Sequence, residues 1–386
     1  MIRDPLAVLP AWRQHLHRHP ELSNEERETA AFVCARLSEL GIPFTPGVGG
    51  HGVVATLNRG GNRSVGLRAD MDALPIMEAT GLPYASATPG VMHACGHDGH
   101  TTSLLGAAML LRDDPSWSGT VHFVFQPAEE GPGKGTQAGA LSMLADGLLH
   151  RFPMERIFAC HNWPGLEAGT VAVHSGPVMA QGGRVRITID GHAGHAAMPH
   201  LTRDAVLAAG HVLVALQSVV ARNVDPLDAS VVSICMIEAG QAPNQIPARV
   251  TLQGTLRALR PDVFEAAAAR IVAITQHIGA ALDVRAEAEV TRSVAATVNH
   301  AAEAELAAAA AAAAGLPVRR DLAPTMAGED FGWMLRERPG AYLWIGNGPA
   351  QDGAFLHNPG YDFNDAILPA AATCLAAIAR RALAEG

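Results

Sequence analysis

The sequence predicts an α/β protein in which a layered domain with a mixed central sheet is interrupted by a smaller ferredoxin-like α+β domain. Three observations predict it. The chain has 386 residues, more than one ordinary core accommodates. Short apolar, β-rich segments alternate with helix-like stretches over roughly its first 160 residues. Around Gly183 that rhythm changes to a β-α-β-β-α-β order and later reverts.

From Leu6 to Leu40 the pattern is helical, interrupted at Pro20, which cannot donate a helix hydrogen bond. Strand-like segments follow at Gly52–Leu57, Ser64–Ala69, Thr120–Phe125 and Arg156–His161, with helical stretches over Thr101–Arg112 and Gln137–Leu144. Gly47 to Gly52 matches a dinucleotide-binding fingerprint, but it precedes a strand instead of opening a helix and reads as a turn. In the second rhythm, Arg184–Ile189 alternates as a strand and Arg203–Ala221 is helical. Strands Ser230–Ile237 and Arg249–Leu256, a helix over Pro261–Ala280 and a strand at Val284–Val290 complete it. A helix over Ala301–Ala314, with Asn299 and Gly315 suited to its ends, resumes the first rhythm. A strand at Tyr342–Ile345 and a helix from Ala366 to Ala384 close it. The expected division is 1–177 with 292–386 as one domain and 178–291 as an insert whose uncovered sheet face or edge could serve a dimer.

A net charge of −9 argues against nucleic acid or an anionic membrane as partner. No apolar run of membrane-spanning length and no basic, apolar leader is visible, so a soluble, cytoplasmic protein is expected. The five cysteines are scattered and odd in number, which is not a disulfide framework. Cys34, Cys235 and Cys374 stand in apolar surroundings and read as core residues. Lys134 is the single lysine, and Gly131 to Thr136 lacks the Ser or Thr that a Walker loop needs directly after it.

Met92 to His100 packs a thiol, three imidazoles and a carboxylate into nine residues. Cys95 and His97 are one residue apart, so in an extended loop both reach one small site, while His93 and His100 read as structural. Glu129 and Glu130 follow a strand, and consecutive side chains there point apart, so one can bind metal while the other faces water. His161 ends one strand, and His357 follows another apolar segment. Asp70 and Asp72 leave a third strand. Taken singly, each of these is commonly an ordinary surface or core residue. Jointly, Cys95, His97, Glu130, His161 and His357 lie beside strand exits, where open α/β sheets gather ligands. They are enough for two borderline-soft divalent ions, with Zn²⁺, Mn²⁺, Co²⁺ and Ni²⁺ all admissible.

These motifs extend along the chain. They include Trp12-Arg13, Leu16-His17 and Pro20 to Ser23; Arg68 to Pro75; His93 to Asp98; Pro127 to Gly131; Gly194 to His200; Gly328 to Phe331; and His357 to Pro359. Together they resemble the N-acyl-amino-acid amidohydrolases, a group with the hippurate hydrolases and auxin-conjugate hydrolases among the dinuclear metallopeptidases carrying an inserted dimerisation domain. The resemblance implies hydrolysis of the amide of a small N-acyl amino acid, two divalent metal ions per subunit and a homodimer or higher homo-oligomer. It implies Cys95 as bridging ligand, Glu129 as general base and Asp72 as an orienting carboxylate. His195 resembles a histidine that reaches the partner's site to stabilise the oxyanion, and Asn244 and Arg257 resemble substrate-binding residues. Without the resemblance, Arg257 is a strand-end cation and Gly194-His195 a turn. A dipeptidase or aminopeptidase with the same metals, or a non-catalytic conjugate-binding protein, remains an alternative.

Overall fold

The computed structural model describes residues 5–133, 135, 137–350 and 353–385. Lys134 and Thr136 of the rejected Walker match lie outside the described residues. The chain divides into two compact units, one formed by 1–176, 298–323 and 330–386, the other by 177–297 and 324–329. The second unit thus runs past the expected 291, because the strand Arg285–Val294 continues beyond it.

The first unit is built on an eight-stranded mixed sheet. Its order is Phe44–Val48, Gly52–Asn58, Thr120–Gln126, Ser64–Asp70, Arg156–Pro164, Gly340–Gly348, Val171–Ala172, Val318–Arg319. The four strands 120–126, 64–70, 156–164 and 340–348 are parallel neighbours, so their carboxyl ends share one edge. They are buried almost throughout, which explains their continuous apolar runs in place of alternation. Phe44–Val48 and the short strands 171–172 and 318–319 escaped the sequence reading, being too brief or too rich in Pro and Gly to show a period.

Helix His97–Asp113 is buried on nearly every side and packs closely on helix Leu368–Ala384. A Cβ at Gly106 would lie 2.9 Å from both Ala372 and Leu9. Asn299 does not cap the helix Ala301–Ala313. Its amide donates to the carbonyls of His174 and Tyr342 and accepts from Tyr342 N–H, while His300 occupies the cap.

The second unit holds a four-stranded antiparallel sheet in the order Ser230–Ala239, Arg249–Ala258, Gln181–Asp190, Arg285–Val294. Helices Ala205–Ser218 and Pro261–Ala281 share a core with its strands, the ferredoxin-like arrangement. Gln181–Asp190 alternates accordingly, with Val185, Ile187 and Ile189 buried and Arg184 and Arg186 exposed. Cys235 corrects the expectation of a core cysteine: it is exposed on the edge strand, whereas Cys374 is buried and Cys34 partly so. Segments Ala205–Asn223 and Asp365–Ala384 are long and apolar enough to cross a membrane, contrary to the sequence reading. Both pack into a core instead, 365–384 being mostly buried and 205–223 contributing Ala205, Ala208, Val212 and Leu216.

Candidate metal centre

The parallel strands deliver the five ligand candidates to one place on the first unit. Cys95 and His97 flank Gly96, which sits at φ +90°, where a Cβ would come within 2.3 Å of Asn162 Nδ2. The expected extended loop is therefore a left-handed kink that starts helix His97–Asp113. Asn162 holds this kink. Its Nδ2 donates to Cys95 O at 2.7 Å and its Oδ1 accepts from Tyr361 O–H at 2.6 Å. His357, at φ +65°, is tied to the same loop by donation of its N–H to Ala94 O at 2.7 Å.

Cys95 Sγ belongs to two groups of potential ligand atoms, each mutually within 4.8 Å: Cys95, His97 and His161, and Cys95, Glu130 and His357. One thiol thus stands within reach of both groups. His161 Nδ1 lies 2.6 Å from Asn162 O, so it carries the proton, and the lone pair of Nε2 faces Cys95 Sγ at 3.4 Å. His97 Nδ1 lies 3.2 Å from Asp72 Oδ1, leaving Nε2 buried with no hydrogen-bond partner, 3.9 Å from Glu130 Oε1 and 4.0 Å from Glu129 Oε2. Carboxylate-to-histidine hydrogen bonds of this kind orient metal ligands. Glu130 Oε1, also buried, lies 3.1 Å from His357 Nε2 without hydrogen-bond alignment. Orphaned acceptors on buried side chains, with lone pairs converging, fit cations better than they fit one another.

The electrostatics call for positive charge. Burial would lower the His97 pKa, but Asp70, Asp72 and Glu130 outweigh it and raise it to about 10, so without a metal the ring holds a second proton whose place a bound cation would take. Burial, then the charges of Glu130, Glu129 and Asp70, pushes the Cys95 thiol well up. A thiolate there requires added positive charge, which bound metal supplies. Burial, then neighbouring His100, keeps His161 neutral and able to ligate.

Asp70, His97 and His100 also cluster, but His100 is committed: its Nδ1 meets Asp70 Oδ1 at 2.6 Å and its Nε2 accepts from Asn162 N–H at 3.0 Å. Asp70 also accepts from Arg68 at 2.6 Å. His93 is buried and neither ring nitrogen has a partner. Ala128, before Glu129 and Glu130, is at φ +52°, a turn that redirects the chain after the strand, and both carboxylates come within 4.0 Å of His97 Nε2. Glu129 Oε1 accepts from Asp330 N–H at 3.3 Å, and Glu130 donates its N–H to Asp72 Oδ2 at 3.0 Å. Sequence reasoning missed Asn162 and Tyr361. Only the position of Asn162 directly after His161 could have flagged it.

In the second unit, His195 and Asn244 come together on a two-stranded ribbon, where Gln245 pairs with His195 and Ala196 N–H donates to Asn244 O at 3.0 Å. His195 Nδ1 accepts from Ala197 N–H at 3.1 Å, which places its proton on Nε2. Arg257 stands on the larger sheet and donates through Nη1 to Met326 O at 2.9 Å.

Residues 66–381 match Peptidase family M20/M25/M40. The chain is 39% identical over 373 residues to an N-acetyl-L-cysteine deacetylase of Bacillus subtilis, covering 96% of this chain and 87% of that protein. It is 38% identical to the hippurate hydrolase of Campylobacter jejuni, covering 96% and 95%. Among solved structures, a Bacillus subtilis protein described as a dinuclear metal binding peptidase from the M20 family superposes with a TM-score of 0.86. The two are 33% identical, with 98% of each chain covered. With this architecture and this set of converging donors, the chain belongs to peptidase family M20/M25/M40 and is a hydrolase of amide bonds.

Proposed function

We propose that the chain hydrolyses the amide of N-acyl amino acids, with Cys95, His97, Glu130, His161 and His357 as the residues that would hold two divalent ions. One observation carries the reading: a thiol shared between two ligand groups, beside Glu129, which belongs to neither of these and clusters with His97 and Glu130 and with Glu329 and Asp330. Ions held there supply Lewis acidity to the amide carbonyl and make attacking water more acidic. Glu129, anchored by Asp330 N–H, takes the proton from that water and returns it to the departing amine. Asp72 fixes the ring of His97 and the backbone of Glu130 together. His195 is assigned the oxyanion, since its Nε2 proton is available to donate. Asn244 and Arg257 are assigned the substrate carboxylate, Arg257 with one nitrogen already engaged by Met326 O.

The acyl group we assign is flat and aromatic. Trp163, two residues beyond His161, stacks on Trp344 with ring centroids 4.3 Å apart, and Phe355, two residues before His357, meets it edge-on at 5.6 Å. Phe355 is 40% exposed, so this apolar surface beside the ligands is open to a partner ring. A homodimer is part of the same proposal, supported by exposed Val231, Met236 and Ile237 on the edge strand Ser230–Ala239. So is a cytoplasmic location, supported by five free cysteines.

The test is turnover of benzoyl-, acetyl- and unacylated amino-acid amides after chelation and re-addition of Zn²⁺, Mn²⁺, Co²⁺ or Ni²⁺. Metal-dependent release from the benzoyl compounds, exceeding acetyl by about tenfold or more in kcat/KM, is expected. Preference for a free amino group would favour a peptidase. No turnover with tight product binding would favour a conjugate-binding protein.

A further inference from the structure

Strand Thr120–Gln126 ends at a proline, so the first backbone donor after it is the N–H of Ala128. Ala128 is fully buried and that N–H must find an acceptor inside the protein. It finds Glu26 Oε1 at 2.8 Å, from a segment 102 residues earlier in the chain. Glu26 is itself fully buried, and the same oxygen accepts from Asn24 N–H at 2.9 Å.

We propose that Glu26, a side chain with no part in the chemistry, is a positioning residue: its carboxyl oxygen holds the Ala128 turn that aims the Glu129-Glu130 pair at His97.

Ala128 sits at φ +52°, a left-handed conformation disfavoured for any residue with a Cβ. Such a conformation persists when the surroundings over-determine it. Here the Ala128 N–H goes to Glu26, the Ala128 carbonyl accepts from Gly139 N–H at 2.9 Å, and the Glu130 N–H goes to Asp72. Ser23 reinforces the last of these, its Oγ donating to Asp72 Oδ2 at 2.6 Å, while Asn24 Nδ2 donates to Pro132 O at 2.5 Å. The segment Ser23–Glu26 therefore grips the Glu129-Glu130 turn from both sides. An extended Ala128 would swing Glu129 and Glu130 together away from their present direction, since its torsions set the course of everything after it. With the turn in place, both reach within 4.0 Å of His97 Nε2, yet Glu129 is tethered to Asp330 and Glu130 lies against His357. Glu26 Oε2 has no hydrogen-bond partner, so the contact that matters is a single acceptor, which an amide also offers. Burial, with Asp72 nearby, pushes its carboxyl up to about 7, which fits a group retained for its acceptor oxygen.

The test compares metal-loaded Glu26→Gln, Glu26→Leu and Ala128→Val with the parent by kcat, KM, metal affinity and thermal midpoint. Glu26→Gln should stay within about threefold of the parent in kcat and in metal affinity. Glu26→Leu should lower kcat or metal affinity by about 10- to 100-fold, the range for groups that orient ligands, with KM little changed. Ala128→Val disturbs the same turn without touching Glu26 and should reproduce that signature; it carries the test if Glu26→Leu fails to fold. A folded Glu26→Leu with parental kcat and metal affinity overturns the proposal. So does a Glu26→Gln as impaired as Glu26→Leu, because charge would then be what matters. The kinetic arm rests on the hydrolytic reading; if the parent turns over no amide, that reading fails and the metal-affinity arm still decides the role of Glu26.

Discussion

The two units handle charge differently. The first buries Arg13, Arg68, Asp70, Asp72, Asp98, Asp330, Glu26 and several histidines; among the described residues of the second, Glu329 of segment 324–329 is the only buried charged side chain, and every buried polar side chain of residues 177–297 is uncharged. Ion pairs of that stretch, such as Arg249–Asp190 and Arg260–Asp262, lie on its surface. Buried ionic groups are weak sources of stability, because desolvation offsets the attraction. Their concentration around the ligands is therefore best understood as orientation: Arg68 joins Asp70 to Asp330, and Arg13 joins Asp98 to the loop containing Asp362. That loop follows His357, and Asp98 follows His97, so one guanidinium links two ligand-bearing segments.

The contrast is testable from its largest consequence downward. Glu129→Gln should retain metal and lose about 10²- to 10⁴-fold in kcat, whereas Glu130→Ala should lose metal, read by stoichiometry after dialysis. Near-normal turnover of Glu129→Gln would remove the base. Next, Asp98→Ala removes the buried partner that Arg13 and His17 share, leaving Arg13 to Asp362 and Asp365 and His17 to Glu78, at an expected cost of about 1.5–3 kcal/mol in denaturant unfolding.

The pH dependence follows from His17. Burial would lower its pKa, but hydrogen bonds to Asp98 and Glu78 raise it to about 9, above the unfolded value of about 6.5. Its contribution is then complete below pH 6.5 and lost as pH rises through 9, on the order of 3 kcal/mol in all. Unfolding of the metal-loaded protein measured across that range should show the decline, and His17→Gln should reduce it by that amount. Smallest of all, Arg249→Ala on the second unit should leave the thermal midpoint unchanged, since its partner Asp190 is a surface contact. A clear drop there would break the contrast between the units.

Much of this was legible in the residues. The strand-helix rhythm, the insert with its split order and the five ligand candidates all follow from local periodicity and from residue type at strand exits. What escaped has a common cause. Asn162, Tyr361 and Glu26 act through hydrogen bonds to segments 67, 199 and 102 residues away. Cys235 read as core because its neighbours are apolar, but it sits at the bulge between Ile234 and Met236 on an edge strand and is exposed.

By itself the sequence determined which donors exist and that parallel strands would gather them, since side-chain chemistry and period are local properties. Only tertiary structure decided which histidines are left with a lone pair to give. His100 is consumed by Asp70 and Asn162, while His97 and His161 are each held by one nitrogen with the other turned inward. A ring nitrogen takes its role from whatever faces it, and those partners arrive from distant parts of the chain.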